Sequence, residues 1–265
     1  MTMRSGTTAR PCPGSPASAA LPSTTRPHGR AVTEGSLASV NDAWHVIAIC
    51  ALGYLVGGIP VGWLMVRWQR FGLDVRRYGS GNIGTSNVYR HAGFDVAVVV
   101  GPVQFVQGLA PVLIARFLGF AEGVQVLVAV SAVVGNGWPV YLRFNGGRGV
   151  AVATGAVGPL SYAGFIGLLM CYAWGAIRGR IALAVLVAYV ILPVVAFFFN
   201  GVTVALGCVA ILGLLMLRRL EGLPDDTRTY GHFWRLAWDR LVFDERPGRP
   251  LMGPRTDPGV NAVHK

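Results

Sequence analysis

The sequence predicts an all-α integral membrane protein, a bundle of about seven transmembrane helices, some short or re-entrant, with the N-terminus outside. Two observations carry this prediction. First, 53% of the 265 residues are hydrophobic and only 13% are charged, with a mean hydropathy of +0.51. Soluble domains carry about 25% charged residues, so this chain has too few to clothe a water-facing surface. Second, the charges are segregated. Residues 123–142 and 181–217 contain no Asp, Glu, Lys or Arg, and about 20 mainly apolar residues cross a hydrocarbon core of about 30 Å.

Taken in order, residues 1–43 are rich in Ser, Thr, Pro, Gly and Ala and hold no apolar run long enough for a signal-peptide core. They are expected to be a disordered tail, and the abrupt apolar onset at Trp44 also fits a start placed upstream of the native one. A membrane region is expected over 44–217. Its first span runs from about Trp44 to Val66, followed by a polar loop, 67–93. The second covers about Phe94–Phe117 and the third Gly123–Leu142, before a short basic segment, 143–149. The apolar stretch 150–177 is interrupted at Gly158-Pro159. Two more spans, Ile181–Phe199 and Val202–Leu217, join near Asn200-Gly201. A basic cytoplasmic tail is expected over 218–265.

Arginine placement orients these spans. The net charge is +11 and Lys265 is the only lysine. Positive loops stay cytoplasmic. Loop 67–93 carries Arg67, Arg70, Arg76, Arg77 and Arg90, segment 143–149 carries Arg143 and Arg148, and Arg178 and Arg180 bracket a turn, whereas 118–122 carries only Glu122. Keeping all the basic segments on one side requires an even number of crossings within 150–177. That stretch is therefore expected to be two short helices bent at Gly158-Pro159, or a re-entrant pair. Non-helical backbone at membrane depth is tolerated where it lines a cavity or is buried in protein. The arginines flank apolar segments and no soluble basic face exists, so the partner is the lipid bilayer and no nucleic acid is expected. Cys12, Cys50, Cys171 and Cys208 are widely spaced and form no Cys/His cluster, so neither a metal site nor a disulfide framework is expected.

Two glycine-rich polar segments fall on the predicted cytoplasmic side. Tyr78-Gly79-Ser80-Gly81-Asn82-Ile83-Gly84-Thr85-Ser86-Asn87-Val88-Tyr89-Arg90 combines glycines, which let main-chain amides turn toward an anion, with the hydroxyls of Ser80, Thr85 and Ser86, the amides of Asn82 and Asn87, and the Arg90 cation. A helix starting near Thr85 aims its positive end at the same anion. The competing reading is a flexible interhelical loop. Residues 135–150, Gly-Asn-Gly-Trp-Pro-Val-Tyr-Leu-Arg-Phe-Asn-Gly-Gly-Arg-Gly-Val, repeat the pattern, with glycines around Arg148 and a helix start near Val150. Arginine suits bidentate phosphate recognition. The competing reading makes Arg143 and Arg148 topology anchors only. Gln104 and Gln107 share a face of the second span, and His91 and His232 are candidate general bases against a default of solvated loop histidines.

At these residues the chain resembles the acyl-phosphate:glycerol-3-phosphate acyltransferase family, the PlsY type. The matching residues are Tyr54-Leu55 with Gly57, Ile59 and Pro60; Gly79–Gly84 with Asn87-Val88 and Arg90; and Trp138-Pro139-Val140 with Phe144, Gly146-Gly147, Gly149-Val150-Ala151 and Gly155. The resemblance covers about residues 45–220, and as a divergent member the chain departs at several family positions. A family histidine is Asn136, two lysines are Asn145 and Arg148, an Asp and a Lys are Gln104 and Gln107, first-span serines are Gly58 and Val61, and Arg218, Arg219 and Glu221 occupy the last basic motif.

The resemblance implies a seven-helix bundle of the bacterial inner (plasma) membrane, N-terminus outside, with the active site facing the cytoplasm. It implies acyl transfer from acyl phosphate to the 1-hydroxyl of glycerol 3-phosphate, giving lysophosphatidic acid for phospholipid synthesis with no cofactor and no metal. The implied catalytic residues are Asn82, Arg148 and Asn136. The implied phosphate-binding residues are Ser80, Gly81, Gly84, Thr85, Asn87, Arg90, Arg143, Gly146, Gly147 and Gly149. The alternative is a non-catalytic membrane homologue that binds phosphate-bearing lipid precursors without turnover.

Overall fold

The computed structural model describes residues 42–69, 72–221 and 223–243. Within them the chain is helical: α1 (Ala43–Gly58), α2 (Val61–Gln69), α3 (Thr85–Ala92), α4 (Phe94–Phe117), α5 (Glu122–Gly137), α6 (Val150–Leu160), α7 (Tyr162–Ile177), α8 (Ile181–Asn200), α9 (Val202–Leu220), α10 (Leu223–Tyr230) and α11 (Phe233–Trp238), with a closing π-turn, Asp239–Phe243. Five helical stretches are long and apolar enough to cross a membrane: Ala43–Gln69, Phe94–Phe117, Glu122–Leu142, Ile181–Asn200 and Val202–Leu220. The two shorter apolar helices are α6 and α7.

Glycines set the helix crossings. A methyl on Gly57 would overlap the Ala132 carbonyl, and one on Gly135 the Tyr54 carbonyl, so α1 and α5 touch backbone to backbone. Gly108 against Val152 and Gly155 against Phe105 do the same for α4 and α6. Lipid is as apolar as a side chain, so close van der Waals packing at small residues is what associates such helices.

These contacts also fix direction. Gly53 lies over Val128 and Gly57 over Ala132, so α1 and α5 run parallel. Val152 lies beside Gly108, and Pro159 accepts a hydrogen bond from Arg116 Nη1 (2.8 Å), so α6 follows the second half of α4. Gly207 meets Val126 and Gly137 meets Arg218, making α9 parallel to α5. Gly164 faces Leu192 and Gly175 faces Ala184, making α7 antiparallel to α8. Successive apolar passes therefore alternate in direction. The C-termini of α1, α5 and α9 gather at one end, the site end.

The 11 residues of α6 rise only about 16 Å. They suffice because α6 starts recessed within the bundle, beside the middle of α4, and ends near Arg116 in the last turn of α4. Val152–Leu160 is buried throughout, at the centre of the bundle.

One expectation is corrected and two are refined. The break within 150–177 falls at Ser161, not at Gly158-Pro159: Pro159 sits inside the last turn of α6, and Ser161 caps α7 by accepting the Gly164 amide at 3.1 Å. The first span is one apolar stretch, Ala43–Gln69, with a break at Ile59-Pro60 that separates α1 from α2. The tail expected from 218 begins later, because Arg218 and Arg219 belong to the last turn of α9 and are buried, and residues 223–243 fold into α10, α11 and the π-turn. The tail expected over 1–43 lies outside the described residues up to position 41, as do 244–265.

Candidate active site at the recessed loops

The interruption of α1 leaves helix-end carbonyls at membrane depth, and these need partners. Gln107 Nε2 supplies them, donating to Val56 O (2.8 Å) and Ile59 O (2.9 Å). Asn136 Nδ2 donates to Gly57 O (3.3 Å), and Tyr54 Oη donates to Trp138 O (2.7 Å). Buried amide side chains thus satisfy the carbonyls freed at the break.

The first loop is folded by its own asparagines. Asn87 Oδ1 accepts the Ser80 amide (3.1 Å), while Asn87 Nδ2 donates to Asn82 O (2.8 Å), Tyr78 O (3.2 Å) and Val75 O (3.4 Å). Asn82 Oδ1 accepts the Gly84 amide (2.9 Å), and the Gly81 amide donates to Tyr78 O (2.9 Å) with Gly81 at φ +71°. In this geometry the Ser80, Gly81 and Gly84 amides bond inside the loop, and Asn87 is the loop's internal brace. The start of α3 offers further main-chain donors. Its cap, Gly84, makes no side-chain bond, and hydrogen bonding to Gly84 O begins at Asn87, which leaves the Thr85 and Ser86 amides at the positive helix end. The Thr85 hydroxyl also reaches Gln104 Oε1 at 3.3 Å.

The second loop meets the first at one point: the Arg148 amide donates to Asn82 Oδ1 at 3.2 Å. Gly147 N donates to Asn136 O (2.8 Å) and Gly146 N to Gly137 O (3.1 Å), so this loop folds back on the end of α5. Its outward carbonyls are gripped from α9. Arg218 Nε donates to Gly147 O (3.0 Å) and Arg218 Nη2 to Gly146 O (2.9 Å), its guanidinium stacks over the Trp138 ring at 5.2 Å, and it pairs with Glu221. Arg148 is 5% exposed, so its cation lies inside the site; Arg143 and Arg90 are exposed. Arg143 and Phe144, at φ 52° and 62°, turn the chain sharply from the Val140–Leu142 turn into Gly146.

The neighbouring titratable groups are settled by local contacts. Arg76 and Asp74 pair at 2.7 Å. Burial pushes the Asp74 carboxyl up, but the Arg76 hydrogen bonds and charge outweigh it and leave the group below its ordinary value. Arg76 is thereby matched, and it does not add to the cationic field. His91 is buried against Gly79, and burial first, then the Arg90 charge, lowers its pKa and favours the neutral imidazole. His232 is exposed in the segment joining α10 to α11.

Loops of this composition and order match a known family. The family model for glycerol-3-phosphate acyltransferase matches residues 47–222. The chain belongs to the glycerol-3-phosphate acyltransferase family. Among its relatives, glycerol-3-phosphate acyltransferase 5 of Dehalococcoides mccartyi is 36% identical over 209 residues, an alignment covering 75% of this chain and 88% of that one. The glycerol-3-phosphate acyltransferase of Rubrobacter xylanophilus is 44% identical over 158 residues, covering 58% and 77%. The crystal structure of PlsY (YgiH), an integral membrane glycerol 3-phosphate acyltransferase in its glycerol 3-phosphate form, is similar with a TM-score of 0.62 at 28% identity, covering 71% of this chain and 94% of that one. Its lysophosphatidic acid form aligns with a TM-score of 0.59 at 26% identity, covering 71% and 93%.

Within this family frame the departures acquire physical roles. Gln104, Gln107 and Asn136, named as departures on the resemblance alone, each make a neutral hydrogen bond between helices. Of the residues given catalytic roles on resemblance, Asn82 and Asn136 have side chains engaged with main chain, and Arg148 brings charge. Arg218 was not selected from sequence. Its signal was present: a cation closing an apolar span, three residues before Glu221.

Proposed function

We propose that this protein is the acyl-phosphate-dependent acyltransferase of its membrane: it moves an acyl group to the 1-hydroxyl of glycerol 3-phosphate and releases lysophosphatidic acid and inorganic phosphate. The observation that carries the reading is the Asn82–Arg148 bond. It joins two family-matched glycine loops into one cationic, recessed site beside the positive end of α3.

Acyl phosphate is an activated donor, so the protein's task is to align two anions and to stabilise charge as it redistributes. The glycerol oxygen bonds to the acyl carbon, the acyl carbon–phosphate oxygen bond breaks, and the hydroxyl proton leaves to phosphate or water. The Thr85 and Ser86 amides and the Ser80 hydroxyl receive one phosphate. Arg148, framed by Gly147 and Gly149, faces the other and the charge developing on the carbonyl. Asn82, Asn87, Asn136 and Arg218 hold these groups in place. The acyl chain lies along apolar helix faces open to the bilayer. The site faces the cytoplasm of the plasma membrane, as the arginine-bearing loops at the site end favour.

Purified protein in lipid vesicles, supplied with acyl phosphate and labelled glycerol 3-phosphate, should form labelled lysophosphatidic acid. Binding of both substrates with no product would replace this reading with that of a non-catalytic binder. The neutral hydrogen bonds at Gln104, Gln107 and Asn136 favour that second reading wherever the chemistry demands a protein proton donor.

A further inference from the structure

Residues 223–243 lie beyond the family match, which ends at 222, yet they are folded and fastened. Their inner face buries Leu223, Leu236, Ala237 and Val242, with Leu220 packed against the first three. Arg240, fully buried, donates to Glu221 O (2.7 Å) and pairs with Asp226. Arg219 donates to Leu241 O and, at 3.3 Å, to Ala182 O at the start of α8, which places the segment beside the α7–α8 turn.

The outer face is built differently. Trp234 and Trp238, one helical turn apart on α11, are 83% and 63% exposed, and Phe233 stacks edge-on to Trp234. Arg228 and Arg235 are exposed on the same hairpin, and the α7–α8 turn, next to Ala182 where Arg219 ties the segment to α8, carries exposed Arg178 and Arg180. Trp174 and Ile177, in the last turn of α7, are exposed too. Asp226 is committed to Arg240, and Asp239 is half-buried. Exposed indoles among arginines, next to membrane-spanning helices, match the boundary where acyl chains meet headgroups. There the ring is solvated by apolar chains while its N–H and the guanidinium reach water and phosphate.

We propose that the α10–α11 hairpin is an interfacial anchor that seats its Trp234/Trp238 face in the headgroup layer at the site end of the bundle and prefers anionic phospholipid. Charge complementarity selects this occupant, because the arginine rim would attract acidic headgroups. Continuity supports it: the hairpin hangs directly from α9 and is stitched to α8, so the bilayer is the surface it meets first.

The test uses the full chain reconstituted in vesicles of phosphatidylcholine alone or mixed with phosphatidylglycerol, with a spin label near the headgroup end of the acyl chain as quencher of tryptophan emission. The parent should be quenched more than the Trp234→Phe/Trp238→Phe variant, and more strongly in the anionic vesicles. Arg228→Glu/Arg235→Glu should abolish the difference between the two vesicle types. Equal quenching of parent and the tryptophan variant overturns the proposal. Quenching of these two tryptophans by aqueous acrylamide instead of by lipid places the face in water, and protection from both quenchers places it against protein; either result overturns it too. Acyl transfer measured on the same vesicles reports the catalytic reading separately, since the anchor rests on the membrane spans and not on the chemistry.

Discussion

Asn82 Oδ1 accepts the main-chain N–H of Arg148 at 3.2 Å across 66 residues of sequence, and the same oxygen accepts the Gly84 amide at 2.9 Å. One side-chain atom therefore fixes the start of α3 against the loop that carries the buried cation. Asn82→Ala leaves two amides without their acceptor at a buried point, each at a cost of about 1–3 kcal/mol. The expected outcome is a normally inserted protein whose KM for glycerol 3-phosphate rises and whose kcat falls. Asn82→Asp keeps the acceptor oxygen and should recover part of the loss. Steady-state kinetics on reconstituted protein measures both, and unchanged constants in Asn82→Ala would remove this bond from the mechanism.

The helix crossings make a second prediction about stability alone. A methyl at Gly108 overlaps the Val152 carbonyl, whereas a methyl at Gly213 on α9 meets nothing within 4 Å. Gly108→Ala must push α4 and α6 apart, and overpacking of this kind costs about 1–3 kcal/mol or more where backbone is the obstacle. Gly213→Ala should be neutral or slightly stabilising, since alanine favours helix. Thermal unfolding in one detergent should rank Gly213→Ala at or above the parent and Gly108→Ala well below it. Equal midpoints would mean that the crossing is looser than these contacts require.

Much of this architecture was legible in the sequence. Charge-free apolar runs located α5, α8 and α9, the glycine at 201 marked the junction of the last two, and helix starts near Thr85 and Val150 followed from the glycine loops. What stayed hidden has physical causes. The break at Ile59-Pro60 lies in continuous apolar sequence, and its stabiliser, Gln107, comes from another helix. Pro159 lies within the last turn of α6 and the chain breaks two residues later, at the Ser161 cap, so Gly158-Pro159 was a weaker stop than its composition suggested. In the first loop, composition promised free amides, but only three-dimensional proximity reveals that Asn82, Asn87 and the Tyr78 carbonyl consume them. The folded hairpin after α9 was masked by its arginines, one of which, Arg240, is wholly buried.

Topology gives a third prediction. The alternating helix directions put Tyr78, Asn145 and Arg235 at the site end and Leu118, in the α4–α5 turn, at the other. With Cys12, Cys50, Cys171 and Cys208 replaced, single cysteines at Tyr78, Asn145 and Arg235 should react with an impermeant thiol reagent from the cytoplasmic side, and one at Leu118 from outside. Labelling of Arg235→Cys from the side opposite to Tyr78→Cys would show that α6 and α7 do not make two passes. Labelling of all the probes with sides exchanged would reverse the orientation taken from the arginines while leaving the fold intact.

Arg148 and Arg218, two of the buried arginines, should answer substitution differently. Arg148 is placed to meet substrate charge, while Arg218 acts through the loop, holding Gly146 O and Gly147 O at 2.9 and 3.0 Å. Arg148→Ala should lower kcat/KM by about 2–4 kcal/mol of transition-state stabilisation, the range for one preorganised donor. Arg148→Lys keeps the charge and should restore a large part of it. Arg218 answers differently. Lysine is a point donor and cannot span two carbonyls as the planar fork does, so Arg218→Lys should rescue little of the defect in Arg218→Met. Both Arg218 variants should act mainly through KM, because a displaced loop misplaces the binding groups without removing the cation. Arginine stays protonated across the working range, so neither set should shift the pH profile. A parent-like Arg148→Ala would reduce Arg148 to a positive-inside residue. A lysine rescue at Arg218 as complete as at Arg148 would mean that Arg218 contributes charge and not geometry.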